Sequence, residues 1–237
     1  MDGFTYYNMF DTKGIEYLVV IAFLLLLIPF WLALNHRVKV KEKVRKALGI
    51  LSVNLLRIPQ GVFYSKNHTW TYLEKSGVAR IGLDDLLMHI TGEVSVNYLK
   101  NPGEVVAKGD LVAQINQNGK SLDIFSPISG EVVGANPSLN GNREFLTADP
   151  YGKGWIYNIM PSNWVAEILT FYFGNNASEW FKKELVRYKD FLSRSMPAYS
   201  SETSLVTLQD GGELTDNSLA EMPLETWIHF QKEFLSF

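Results

Sequence analysis

The apolar positions change period along the chain, and each period predicts a different element. Tyr17 to Leu34, YLVVIAFLLLLIPFWLAL, is apolar on every face and carries no charge. At about 1.5 Å of rise per residue such a run nearly matches a hydrocarbon core of about 30 Å. It predicts one transmembrane helix over 17–35, with Tyr17 and Trp31 near the two interfaces and Pro29 as a kink. A cleavable signal peptide is the competing reading. The acidic leading segment, the length of the run and the lack of an A-x-A-like site speak against it. After Leu55 the pattern shortens to strands and turns: Val62 to Tyr64, Thr69 to Leu73 and Val78 to Ile81, with Ser76-Gly77 turning between the last two. Asp84-Asp85 before LLMHI predicts a short capped helix ending near Thr91-Gly92. Gly-Glu-Val then recurs at 92–94, 103–105 and 130–132, the mark of short strands leaving glycine turns in a small, quasi-repeated β unit.

Helical spacing returns after that unit. Ser162 to Phe173 places Trp164, Ile168 and Phe171/Tyr172 on one face, with Gly174 as a stop. A second helix follows, started by Asn176 or Ser178, with Trp180, Phe181, Leu185, Tyr188 and Leu192 as its apolar stripe. Residues 197–217 are polar and turn-rich, as a linker is. The final segment carries Leu224, Trp227, Ile228, Phe230 and Phe234, and Trp227, Ile228, Phe230 and Phe234 are expected to dock on a partner.

Charge adds a direction to this picture. Arg37, Lys39, Lys41, Lys43, Arg45 and Lys46 directly follow the apolar run, opposed only by Glu42. Basic residues collect on the cytoplasmic side, so the N-terminus is expected outside and the main domain in the cytoplasm, at the inner membrane. Val40, Val44, Ala47 and Leu51 keep helical spacing, so the six basic residues also suit contact with anionic lipid. The net charge of −3 argues against general nucleic-acid affinity. There is no cysteine, which removes disulfides and thiolate chemistry. The four histidines have no HxxxH or HxH spacing, so no metal site is expected. Lys153 lies in a Gly-Lys-Gly turn that lacks the rest of a phosphate loop.

The central stretch is Val112 to Gly130, VAQINQNGKSLDIFSPISG, two strand-like runs around Asn118-Gly119. Asn-Gly is the strongest short hairpin signal, because a type I′ turn needs positive φ at both central residues. Lys120 follows at once. Residue pattern alone leads to a small β barrel or sandwich with a projecting hairpin.

Several motifs in order resemble the H protein of the glycine cleavage system, a lipoyl-type domain. They are His68-Thr69-Trp70, Ile81-Gly82-Leu83, Pro102-Gly103, Gly109, Ser126-Pro127-Ile128-Ser129-Gly130-Glu131-Val132, Asn136, Leu139 and Asp149-Pro150-Tyr151-Gly152-x-Gly154-Trp155. The resemblance covers a little under half of the chain, Val62 to about Phe173. It implies a mainly β fold, a barrel-sandwich hybrid with flanking helices. It also implies a hairpin lysine that carries lipoate covalently between enzymes. The family places that lysine eleven positions before the glycine matched by Gly130, which is Gly119 here, and Lys120 stands one place further on. The family's Glu-Ser-Val before the lysine is Asn116-Gln117-Asn118.

The expected organisation is therefore a short extracytoplasmic N-terminus at 1–16, the transmembrane helix at 17–35 and a basic amphipathic connector at 36–55. An H-protein-like domain at 56–174, an amphipathic helix at 175–196 and a linker with an aromatic-rich segment at 197–237 follow. The leading functional expectation is a non-enzymatic, membrane-anchored docking subunit of a larger membrane complex, without a cofactor. An electron-transfer complex is one possible host. The alternative is a membrane-tethered carrier with lipoate on Lys120.

Overall fold

The computed structural model describes residues 14, 16–31, 51–195 and 214–236. The six basic residues Arg37 to Lys46 lie outside the described residues, as do most of 1–16 and residues 32–35 of the expected span. The chain divides into two compact units, residues 1–48 and 49–237.

In the first unit residues 16–31 are helical (α1), and their large apolar side chains, Tyr17 to Trp31, are exposed. Among the described residues no helix is long and apolar enough to cross a membrane.

The second unit is mainly β. Its strands are β1 (Phe63–Tyr64), β2 (Thr69–Leu73), β3 (Ala79–Leu83), β4 (Ser95–Tyr98), β5 (Val105–Val106), β6 (Leu111–Gln117), β7 (Lys120–Phe125), β8 (Gly130–Ala135) and β9 (Trp155–Pro161). They form a six-stranded sheet in the order β1-β2-β3-β9-β8-β5 and a three-stranded sheet in the order β4-β6-β7. Every pairing is antiparallel. Alternation decides which side chains turn inward. Ala113 and Ile115 of β6 face Ile124 and Leu122 of β7 across the ladder, and all four are buried. They share one hydrophobic cluster with Ile81, Leu83, Val132, Ile156 and Ile159 of the larger sheet.

Helix α2 (Asp85–Thr91) begins as its sequence predicts. The Asp84 carboxylate accepts from the Leu87 N–H at 2.8 Å, and Gly92 ends the helix with φ 74°. Two short helices, α3 (Glu144–Ala148) and α4 (Trp164–Ile168), precede the long α5 (Asn175–Ser195). The helix expected over 162–173 is cut to one turn and a half. Its second part leaves the helix because Tyr172 bridges Tyr64 of β1 and Phe173 stacks on Phe63. The apolar stripe of α5 is as expected, with Trp180, Phe181, Leu185, Tyr188 and Leu192 buried.

The C-terminal segment, 214–236, ends in α6 (Leu224–Phe230) and a π-turn over Gln231–Leu235. It docks on its own domain. Trp227 and Phe230 are 0 % exposed and Phe234 is 2 % exposed, whereas Ile228 is 45 % exposed. Phe230 and Phe234 pack edge-on against Tyr188 and Phe191 of α5. Of the four residues expected to meet a partner, three therefore lie in the chain's own core, and only Ile228 is presented outward.

Candidate functional site

The candidate site is the β6–β7 hairpin and what rests on it. Asn118 (φ 49°) and Gly119 (φ 80°) are the two central turn residues, and Gln117 pairs with Lys120 across the ladder. This is the tight turn that Asn-Gly predicts. Lys120 is thus the first residue of the returning strand rather than the tip. A one-place shift along a strand carries a side chain to the other face. On the other flank, the Gln117 side-chain amide donates to the Thr91 carbonyl at 2.8 Å and the Glu93 carbonyl at 2.9 Å, fixing the hairpin to the end of α2.

Lys120 is partly exposed, but its nitrogen turns onto the C-terminal segment. Its Nζ donates to the Ala220 carbonyl at 2.5 Å and the Met222 carbonyl at 2.9 Å, and it sits 4.9 Å from the centre of the Trp227 ring. An ammonium has three donors, so two carbonyls and the negative face of an aromatic ring nearly saturate it. Partial burial lowers its pKa from the usual lysine value. Further along the same strand, Gln231 holds the outer edge of β7. Its Oε1 accepts from the Asp123 N–H at 2.7 Å, and its Nε2 donates to the Asp123 carbonyl at 3.2 Å. An edge strand offers unpaired backbone groups, and here one glutamine amide stands in for a neighbouring strand. The root of the segment is tied to α2, where Asn217 N–H donates to His89 O at 2.7 Å and Leu219 N–H to Ile90 O at 3.1 Å.

These partners decide whether a lipoyl group, the cofactor implied by the resemblance, fits Lys120. The Nζ is engaged by two backbone carbonyls and lies over the Trp227 ring, and an acylated nitrogen could not keep these contacts while 214–236 is in place. The residues present do not fit the group in this arrangement.

A second cluster lies at the N-terminal end of α2, around its capping residue Asp84. His68, fully buried with φ 57°, donates from Nδ1 to Asp84 at 2.8 Å, and its Nε2 is 3.4 Å from Glu184 of α5. Burial alone would lower its pKa, but the two carboxylates outweigh that and hold it up at about 9. The neighbouring Asn67 amide donates to the carbonyls of Leu235 and Ser236. The motif therefore joins the barrel, α5 and the C-terminal segment. A fully enclosed imidazolium with no open face suits structure rather than proton transfer to a substrate. Asp85 is likewise consumed. Burial would raise its pKa, but His89 and Arg57 outweigh that and lower it, and Arg57 contacts it at 2.6 Å.

Beside the hairpin, a polar cavity of about 510 Å3 is lined by Asp85, His89, Glu93, Gln117 and Asp216 among others. Among the described residues no group of three His, Asp or Glu could hold a metal. The Asn118-Gly119 turn just before Lys120 and the cap at Asp84 are both local in the sequence. Ala220, Met222, Gln231 and Glu184 are not legible there, because their partners lie far away in the chain and leave no local pattern.

Comparison with known proteins matches residues 62–184, just over half of the chain, to the family model described as glycine cleavage H-protein. Curated relatives include the glycine cleavage system H protein of Psychrobacter sp. (strain PRwf-1), 34% identical over 106 residues, 45% of this chain and 84% of that one. The H protein of Thermus thermophilus is 36% identical over 104 residues, 44% of this chain and 80% of that one. A crystal structure of the H protein from Mycobacterium marinum covers 44% of this chain and 87% of that one, with 25% identity and a TM-score of 0.39. The family match includes the hairpin and stops within α5, so the segment that grips Lys120 lies outside it.

Proposed function

The chain belongs to the glycine cleavage H-protein family, and from that premise we propose that it is a non-catalytic, membrane-anchored member whose hairpin serves docking rather than cargo. It would act as a structural subunit of a larger membrane complex, with its main domain on the cytoplasmic face. The observation that carries this reading is the state of Lys120, first on the returning strand and held by the Ala220 and Met222 carbonyls. Anchoring is supported by the uncharged run Tyr17 to Leu34 and the basic residues after it. The described part of that run presents its large apolar side chains outward, as a lipid-facing helix does. Docking is supported by Ile228 and Leu224, which stay exposed on α6.

Family membership favours a second reading, a lipoyl carrier with the group on Lys120. That reading requires the 214–236 segment to leave and the hairpin to shift its tip by one residue. The covalent state of Lys120 in the native chain separates the two.

Purification of the native chain in mild detergent tests the docking role. The chain is expected in the membrane fraction, retained through an alkaline wash, and migrating with companion subunits in an assembly larger than itself. Recovery as a lone monomer, or from the soluble fraction, would remove the proposal.

A further inference from the structure

We infer that the C-terminal segment 214–236 is a guard on Lys120: docking of the segment and acylation of the lysine exclude each other. The inference deepens the docking reading by naming what controls that lysine.

The exclusion follows from how each state uses the nitrogen. In the docked state the ammonium donates to Ala220 O and Met222 O at 2.5 and 2.9 Å and faces the Trp227 ring. Among the described residues no carboxylate pairs with it, so backbone dipoles and one π face are what balance its charge. Acylation forms a C–N bond between Nζ and the acyl carbon of an activated carboxylate. The bond from that carbon to its leaving group breaks, the leaving group keeps the pair, and two of the three ammonium protons go to water. The product is a neutral amide with one N–H. It can serve at most one of the two carbonyls, and the charge that attracted the ring is gone. A part-buried carbonyl that loses its donor costs free energy, so acylation works against the docked segment.

The polar grip at this place is compact, and the segment also buries Trp227, Phe230 and Phe234 in the domain core. The hairpin holds the segment through Lys120 and through the Gln231 amide on Asp123, while α2 holds its root through the His89 and Ile90 carbonyls. Conversely, an acyl-transferring enzyme meets a Lys120 nitrogen that is already engaged while the segment is docked. The neighbouring backbone edge at Asp123, which such an enzyme would also approach, is occupied by Gln231 as well. The chain thus carries its own competitor for any enzyme that reads this hairpin.

The test uses the full chain in detergent micelles with Lys120 unmodified, so it is independent of what the native host attaches. A short pulse of the N-hydroxysuccinimide ester of acetate is followed by non-tryptic digestion and mass spectrometry, giving a labelling rate for each lysine. Lys75, exposed in the β2–β3 turn, is the internal reference. Lys120 is expected to label about tenfold or more slowly, which the loss of one charge-assisted hydrogen bond suffices to produce. In a second arm, Lys120→Gln replaces the ammonium by a neutral amide and backbone hydrogen exchange is measured. Residues 214–236 are expected to lose protection while β2, β3 and β9 keep theirs. Labelling of Lys120 as fast as Lys75, or unchanged protection of 214–236 in Lys120→Gln, overturns the inference.

Discussion

His68 shows how a single residue can be half legible. Its place beside Trp70 and the capping role of Asp84 follow from local pattern. Its second carboxylate, Glu184, belongs to a helix more than a hundred positions later, and no spacing announces that contact. The consequence is a dependence of stability on pH with a definite sign. The folded-state pKa of His68, about 9, lies above the ordinary histidine value, so its contribution is full below about pH 6.5 and is lost as pH rises towards 9. His89 acts in the same direction. Its burial would lower its pKa, but Asp85 and Asp216 outweigh that and raise it. Urea unfolding followed between pH 6.5 and 9 should therefore show a falling free energy, with His68 responsible for on the order of 2–3 kcal/mol. In His68→Asn that slope should flatten, on top of a constant loss of about 3–5 kcal/mol from the buried Asp84 left without its cation, Glu184 keeping Arg187 at 2.7 Å.

Among the elements, the hairpin and the capped helix α2 were readable because their determinants are contiguous: Asn118-Gly119 for one, Asp84 and Gly92 for the other. The length of the helix at 162–173 was not readable, since the pairing of Tyr172 with Tyr64 overrides a helical pattern that is otherwise sound. The terminal segment misleads for a related reason. An aromatic stripe after a linker looks the same whether it covers a partner or its own domain, and here Tyr188 and Phe191 supply the surface. Gly92 reports on this docking. It adopts φ 74°, and a Cβ there would sit 2.4 Å from Oδ1 of Asn217, the residue that anchors the segment. Gly92→Ala should cost about 1–3 kcal/mol. Hydrogen exchange should show the loss at 214–236 and at the end of α2 before it appears in the sheets. Uniform destabilisation of the whole domain would contradict that assignment.

For the whole molecule, the family is legible from ordered motifs between His68 and Trp155, and apart from the displaced hairpin lysine the added features of this member lie outside them. The apolar run and basic residues before the domain, and the gripping segment after it, surround a carrier scaffold with parts that the matched region does not contain. The lysine at the hairpin is where the shared scaffold and the added parts meet, because its strand comes from the first and its hydrogen-bond partners from the second. A carrier keeps that nitrogen free for cargo; a docking member uses it to hold its own C-terminus. The mass of the peptide containing Lys120, taken from the chain as isolated from its native host, decides between them. The structure-bearing role predicts an unmodified lysine, whereas a mass increment of one lipoyl group in amide linkage on Lys120 would contradict it.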